Sequence, residues 1–393
     1  MKQLSRRQFM RLAATGLYGT AVGQTAWPFL GTAHAASADI RGSIIKKDAP
    51  DKLWKWSKAA YHFIRLRNGV IMCTLCPNRC RLSAGDRSIC RSRVNMGGTL
   101  YSLAYGNACS ANVDPVEKKP LFHFLPATRA FSIAAAGCNF RCLNCQNWEI
   151  SQVRPEDVRH HDLFPDAVVK AATQSGSTSI AYTYSEPVTF YEYMIDTAHV
   201  ARANGLRNLW VSNGYINQGP LQALCQVLDG ANVNLKSISD EIYRRLNGGR
   251  LKPVLDTFVT LHRHGVHFEI THLVVPGYGD TPEMIQRMCA WILEHLGPDY
   301  PLHFLRFFPR YQLDRLAPTP VATLIRFREL AMAEGVRYVY LGNVPGHPGS
   351  HTFCHQCNQL LVERQGYHIT TMRLKAGHCP SCQTPIPGVW PAA

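Results

Sequence analysis

The stretch Gly137-Cys138-Asn139-Phe140-Arg141-Cys142-Leu143-Asn144-Cys145 sets three thiols close together, directly after the apolar run from Ala130 to Ala136. Three thiolates this close can hold an iron-sulfur cubane. Each of its four irons normally takes one cysteine, so such a site leaves one iron without a protein ligand. An open metal position is where chemistry occurs, just as catalytic zinc sites differ from closed structural ones by keeping a position for water or substrate. The plainer alternatives are a three-cysteine zinc site and a four-cysteine cluster completed by a distant residue such as Cys109. Zinc usually completes its tetrahedron with a nearby His or Cys, and none follows the triplet closely.

Eight further cysteines fall into two sets. Cys73-x2-Cys76-x3-Cys80-x9-Cys90 lies near the amino end, where Pro77 and Gly85 bend the chain around a common centre. Cys354-x2-Cys357-x21-Cys379-x2-Cys382 forms two CxxC knuckles at near zinc-ribbon separation, and the intervening LLVERQG and YHITTMRL can pair as a hairpin. The carboxyl-terminal set is expected to hold structural zinc. The amino-terminal set is read as zinc or an auxiliary iron-sulfur cluster, because cysteine spacing alone does not separate the two. Disulfides are the alternative for both sets, and Cys225 and Cys289 stand alone.

These sites need a scaffold, and the 393 residues supply one. With 46% apolar and 18% charged residues the chain can bury a sizeable core and does not resemble a disordered protein. The net charge of +15 suggests nucleic acid until it is apportioned. Lys2, Arg6, Arg7 and Arg11 carry four of those charges within residues 1–35, which hold no acid, and the rest are scattered. No nucleic-acid partner is expected. Ser5-Arg6-Arg7-Gln8-Phe9-Met10-Arg11 reads as a twin-arginine signal, followed by a weakly apolar segment and an Ala33-His34-Ala35 cleavage site before Ala36. Gly16, Gly19, Gly23 and Pro28 interrupt that segment, so it is not a stable membrane span. Export through the twin-arginine machinery to the periplasm or extracytoplasmic face is expected, with a cytoplasmic location as the alternative.

Between the cysteine sets, short apolar runs alternate with helical patterns, the signature of parallel βα units. Strands are expected at Ala130 to Ala135, Ser179 to Tyr184, Asn208 to Ser212, Ala231 to Leu235, His267 to Val274, His303 to Phe308 and Tyr338 to Leu341. Helices are expected at Asp166 to Gln174, Phe190 to Ala203, Pro220 to Leu228, Pro253 to His264, Pro282 to Leu296 and Ala322 to Ala333. The fold class is therefore α/β, a partial or nearly closed (β/α)6-7 barrel with small cysteine-rich metal-binding segments at both ends. The expected divisions are a signal over 1–35, a cysteine-rich segment over 36–125, the barrel over 126–345 and a zinc-ribbon-like segment over 346–393. Active sites of such barrels form at the carboxyl ends of the strands.

The triplet within GCNFRCLNCQNWEISQ resembles the radical S-adenosylmethionine (SAM) superfamily, and more narrowly the AmmeMemoRadiSam branch related to pyruvate formate-lyase activating enzymes. DPVEKKPLFHF, Asp114 to Phe124, is similar to the same branch. The resemblance implies a 4Fe-4S cluster on Cys138, Cys142 and Cys145 and a SAM molecule on its open iron. It implies reductive cleavage of SAM to a 5'-deoxyadenosyl radical that abstracts hydrogen, with the protein orienting and shielding the cofactors. A protein or peptide substrate and a flavodoxin or ferredoxin as electron donor follow from it. Glu186 resembles the acid of the family's Gly-Gly-Glu motif, although Tyr184 and Ser185 replace the two glycines. Ser212-Asn213-Gly214 is similar to a Thr-Asn-Gly turn that meets ribose. Lys236 matches an Asp-Leu-Lys pattern in which Asn234 replaces the acid, and it offers a charge to the SAM carboxylate. Thr271 or His272 is assigned to the pocket, and His303, Arg306 and Tyr311 to the substrate side. The charged residues of Asp114 to Phe124 either line the pocket mouth or tie the amino-terminal metal loop to the barrel. The competing class is a non-catalytic electron-transfer or metal-binding protein in which all three cysteine sets are structural or redox centres.

Overall fold

A computed structural model of the protein describes residues 39–391. The twin-arginine stretch and its cleavage site lie outside the described residues. The main sheet has eight strands: β1 (Ser110–Pro115), β2 (Arg129–Ala134), β3 (Ser179–Tyr182), β4 (Arg207–Ser212), β5 (Gly230–Asn234), β6 (His267–Val274), β7 (Leu302–Arg306) and β8 (Val339–Gly342). Their order in space is their order in sequence. Strands β2 to β8 run parallel, and β1 pairs antiparallel with β2. The crossovers carry α1 (Pro165–Gln174), α2 (Tyr191–Ala203), α3 (Gln218–Cys225), α4 (Leu251–Arg263), α5 (Pro282–His295) and α6 (Val321–Ala333). The expected strands and helices all occur, with ends moved by a few residues.

Local chemistry sets these elements. Helix α5 starts where Thr281 accepts a hydrogen bond from the Met284 N–H, with Pro282 and Glu283 in its first turn and His295 in its last. Its inward residues Met284, Ile285, Met288, Cys289 and Ile292 recur at helical spacing. Period two divides the strands. Phe131, Ile133, Ile180, Tyr182 and Trp210 pack with helix residues such as Val168, Met194 and Ala198. Ala130, Ala181 and Leu209 face the other way and meet Val116, Leu121 and Phe124.

Of the two forms expected, the partial barrel is the one present: the sheet stays open, with β8 and β1 as its edges. Strand β1 lies along β2 over six residue pairs and takes up the hydrogen-bonding edge that closure requires. β1 and the segment after it, which precede residue 126, pack on the main sheet. That segment neither lines a mouth nor merely ties down the metal loop. Val116, Leu121 and Phe124 fill the inner face, and Asp114 and Lys119 are buried there with Tyr184. Burial lowers the Lys119 ammonium to about 8 against the raising effect of Asp114.

The described residues form one compact unit. Short antiparallel strands precede β1, and from one of them (Arg93–Met96) Arg93 makes a buried two-point ion pair with Glu192 of α2, at 3.0 and 2.6 Å. At the other end, β9 (Leu360–Gln365) and β10 (His368–Met372) form the expected hairpin. It packs on Phe122, Tyr338 and Tyr340, and the buried Arg364 donates to the Phe122 carbonyl at 2.9 Å. Among the described residues no helix is long and apolar enough to cross a membrane.

Candidate functional site

The triplet loop leaves the carboxyl end of β2 through Gly137, whose φ of +112° suits glycine. A Cβ there would stand 2.1 Å from the Ser92 hydroxyl and 2.6 Å from the Cys90 carbonyl, so only glycine lets the amino-terminal segment press on the loop. The loop is pinned from its other side, where Arg141 N–H donates to Asn247 O (2.8 Å) and Leu143 N–H to Leu246 O (2.9 Å). Phe140 is buried against Tyr215 and Tyr243.

Donors surround the three sulfurs. Cys138 Sγ faces the Phe140 N–H at 3.4 Å and Asn213 Nδ2 at 3.9 Å, and Cys142 Sγ accepts from Asn247 Nδ2 at 3.2 Å. The Asn147 N–H and the Ser151 hydroxyl serve Cys145. Burial pushes the Cys138 thiol well above its ordinary value, helped by Glu186 and the other two thiols, and pushes Cys145 to about 11 against the pull of Lys236. Thiols held so high ionise when a metal replaces the proton. The sulfurs are not gathered within the 4.8 Å that encloses the carboxyl-terminal four. Donor-lined, with Cys142 buried and Cys138 and Cys145 half-buried, and not grouped for one ion, the triplet fits a cluster.

The strand ends converge beside it. Glu186 Oε1 accepts from Val188 N–H (3.1 Å) and Ser212 Oγ (2.7 Å), and Oε2 accepts from Asn213 N–H (2.9 Å). The carboxylate thus caps the turn Pro187–Phe190 and ties the end of β4 to that of β3, with one acceptor position spare. Burial raises its pKa, and the donors and Lys236 pull the other way. Asn213 reaches Asn139 Oδ1 at 2.8 Å. Gly214, at φ +70°, lets the turn pass Val233, which a Cβ would meet at 2.8 Å. Lys236 Nζ lies 3.5 Å from Asn234 Oδ1, and Asn234 Nδ2 donates to the Ser212 carbonyl at 3.2 Å.

Other assignments separate from this group. Thr271 is on the inner face, bonded to Asn232 at 2.8 Å, whereas His272 is on the helix face, bonded to Leu235 O at 2.9 Å and packed on Phe304. Period two alone does not say which face is inside. His303 bonds Glu269 at 2.6 Å and packs on Phe122 in the buried layer under the hairpin. Arg306 is held by the Thr319 carbonyl at 2.8 Å. Tyr311 does reach the triplet's neighbourhood, stacked on Trp148 at 5.3 Å while Gln312 N–H bonds Leu143 O.

All fourteen cysteines are free, including both outer sets, so neither set is a disulfide framework. The carboxyl-terminal sulfurs all lie within 4.8 Å of one another, with Cys354 to Cys382 and Cys357 to Cys379 each at 3.6 Å. A four-coordinate ion with bonds of about 2.3 Å needs this spacing. Asn139, Asn147 and Asn247, which hold the loop or its sulfurs, were not singled out in the sequence. Asn139 and Asn147 lie in or beside the motif, but the Asn247-Gly248-Gly249 turn gives no local sign of its partner, Cys142.

A family profile described as "Radical SAM superfamily" matches residues 132–292. The chain is 41% identical over 327 residues to an uncharacterized protein of Methanocaldococcus jannaschii, covering 83% of this chain and 97% of that one. It is 24% identical over 156 residues to the pyruvate formate-lyase 1-activating enzyme of Escherichia coli, covering 39% of this chain and 63% of that one. A radical SAM methyltransferase from Sphaerobacter thermophilus superposes with a TM-score of 0.45 at 12% identity, over 60% of this chain and 71% of that one.

Proposed function

We propose, because this chain belongs to the radical SAM superfamily, that it cleaves SAM reductively and abstracts hydrogen from a protein or peptide. The observation that carries this reading is the triplet, with hydrogen-bond donors at every sulfur and no grouping suited to one ion. Cys138, Cys142 and Cys145 would hold a 4Fe-4S cluster. When bound, that cluster supplies an open iron for the SAM amino and carboxylate groups and the electron that splits SAM into methionine and a 5'-deoxyadenosyl radical.

The chain's own residues bind and orient. Glu186 fixes Ser212 and Asn213, so the turn that resembles a ribose contact is rigid before SAM arrives. Lys236, beside Cys145 and Glu186, offers its ammonium to the SAM carboxylate. The stacked Trp148 and Tyr311 lie beside the triplet loop, where they would help exclude water, which a reactive radical requires.

The similarity to an enzyme named for activating pyruvate formate-lyase supports a protein substrate and a glycyl-radical-activating type of oxidoreductase. The motifs quoted above support the AmmeMemoRadiSam branch. Zinc in the carboxyl-terminal set is supported by four sulfurs at tetrahedral spacing. A flavodoxin or ferredoxin donor and twin-arginine export follow from the resemblance and from Arg6-Arg7 respectively. The test is to supply anaerobically reconstituted protein with dithionite and SAM. Release of 5'-deoxyadenosine supports the reading, and none from protein with a reducible cluster refutes it.

A further inference from the structure

We infer that Cys73, Cys76, Cys80 and Cys90 hold a second iron-sulfur cluster, fully ligated by four cysteines, rather than zinc. All four are buried and line one small cavity. Their positions are set by backbone rather than by flexible arms. Cys73 ends a strand (Ile71–Cys73), and its N–H donates to the Cys80 carbonyl at 3.0 Å. A single tetrahedral zinc with bonds of about 2.3 Å draws its sulfurs to within about 3.8 Å of one another. The carboxyl-terminal four come close to that, all within 4.8 Å of one another and with two pairs at 3.6 Å, while the amino-terminal four do not form such a group. Thiols that converge on one cavity yet stay apart fit a cubane, which spreads its cysteines over four separate irons. Donors are aimed at the sulfurs, as at the triplet. The backbone N–H groups of Leu75, Asn78 and Ile89 serve Cys73, Cys76 and Cys80, and the Ser88 hydroxyl lies 3.0 Å from Cys90 Sγ.

The cavity shares a wall with the triplet. Asn139, the residue after Cys138, lines it and is bound on its carbonyl by Asn78 at 2.9 Å. The Cys90 carbonyl abuts Gly137, and the Arg141 guanidinium reaches the Ile89 carbonyl. With four thiolates the second cluster has no open iron and binds no SAM. Its position one residue from Cys138 suits the passage of single electrons.

This inference stands apart from the reading of the triplet, and two full-length variants purified without oxygen separate them. The triple variant Cys138→Ala, Cys142→Ala, Cys145→Ala should retain about four irons and four sulfides per chain. Its paramagnetic signal after reduction should not respond to SAM. Retention of zinc without iron overturns the inference. Because removing the triplet can disturb folding, the double variant Cys76→Ser, Cys80→Ser supplies a second measure. Iron should fall from about eight to about four per chain, whereas unchanged iron overturns the inference. If the triplet reading alone is wrong, the native chain carries about four irons and the triple variant keeps them all.

Discussion

Glu186→Gln tests whether the carboxylate organises the strand ends. Glutamine can reproduce one oxygen only. With its carbonyl in the Oε1 position it keeps Val188 N–H and the Ser212 hydroxyl as neutral bonds, and its NH2 then faces the Asn213 N–H, donor against donor. A buried unsatisfied donor costs about 1–3 kcal/mol, and two bonds lose their charge assistance. Relief of a carboxylate that burial disfavours offsets part of this. The net expectation is a loss of about 2–3 kcal/mol. Anaerobic urea titration of Glu186→Gln, Ser212→Ala and the double variant measures it as a lower midpoint at unchanged slope. The two changes should couple by about 1 kcal/mol, since Glu186→Gln strips the charge assistance from the bond that Ser212→Ala removes. Glu186→Gln within about 0.5 kcal/mol of the native protein, or strict additivity, refutes the assigned role.

Gly137→Ala should cost about 2–5 kcal/mol and strip the triplet of iron, because the new methyl meets the Ser92 hydroxyl and the Cys90 carbonyl at a positive φ; iron analysis and thermal melting check it. Burial holds the His123 and His272 imidazoles down at about 4, against an ordinary 6.5. The stability they contribute is complete above pH 6.5, declines as the pH falls and is gone by about pH 4. Glu269 is pushed up by burial and pulled further down by its His267 and His303 bonds, so it adds a loss that starts near its ordinary 4.5. Unfolding titrations from neutral to acid pH test this, and a flat profile between 6.5 and 4 contradicts it. A strong chelator should remove one metal from Cys354, Cys357, Cys379 and Cys382 and expose the 360–372 hairpin to proteases while the barrel persists. Limited proteolysis reads the outcome.

Much of this was legible because parallel βα units write themselves plainly. Each buried strand is a short apolar run between helical patterns, and His267–Val274 matches the expected strand at both ends. The triplet and the hairpin were legible from spacing. Strand β1 was not, since SANVDP is polar, poor in strand formers and ends in proline. It is a strand because β2 offers it an edge. The inner filling by Val116, Leu121 and Phe124 depends on tertiary contact that no period reveals. Glu186 was found by motif, but its three donors come from residues on both sides of two strand ends. The difference between the two outer cysteine sets lies in sulfur separations, which the C-x-x-C pattern does not encode.

The most direct measurement compares the native protein with Cys142→Ala in the same anaerobic SAM-cleavage assay, each quantified for iron. The native protein should release 5'-deoxyadenosine on reduction, and the variant, although it retains iron at the amino-terminal cysteines, should release none. Equal release from the variant contradicts the claim that Cys138, Cys142 and Cys145 form the centre at which SAM is cleaved.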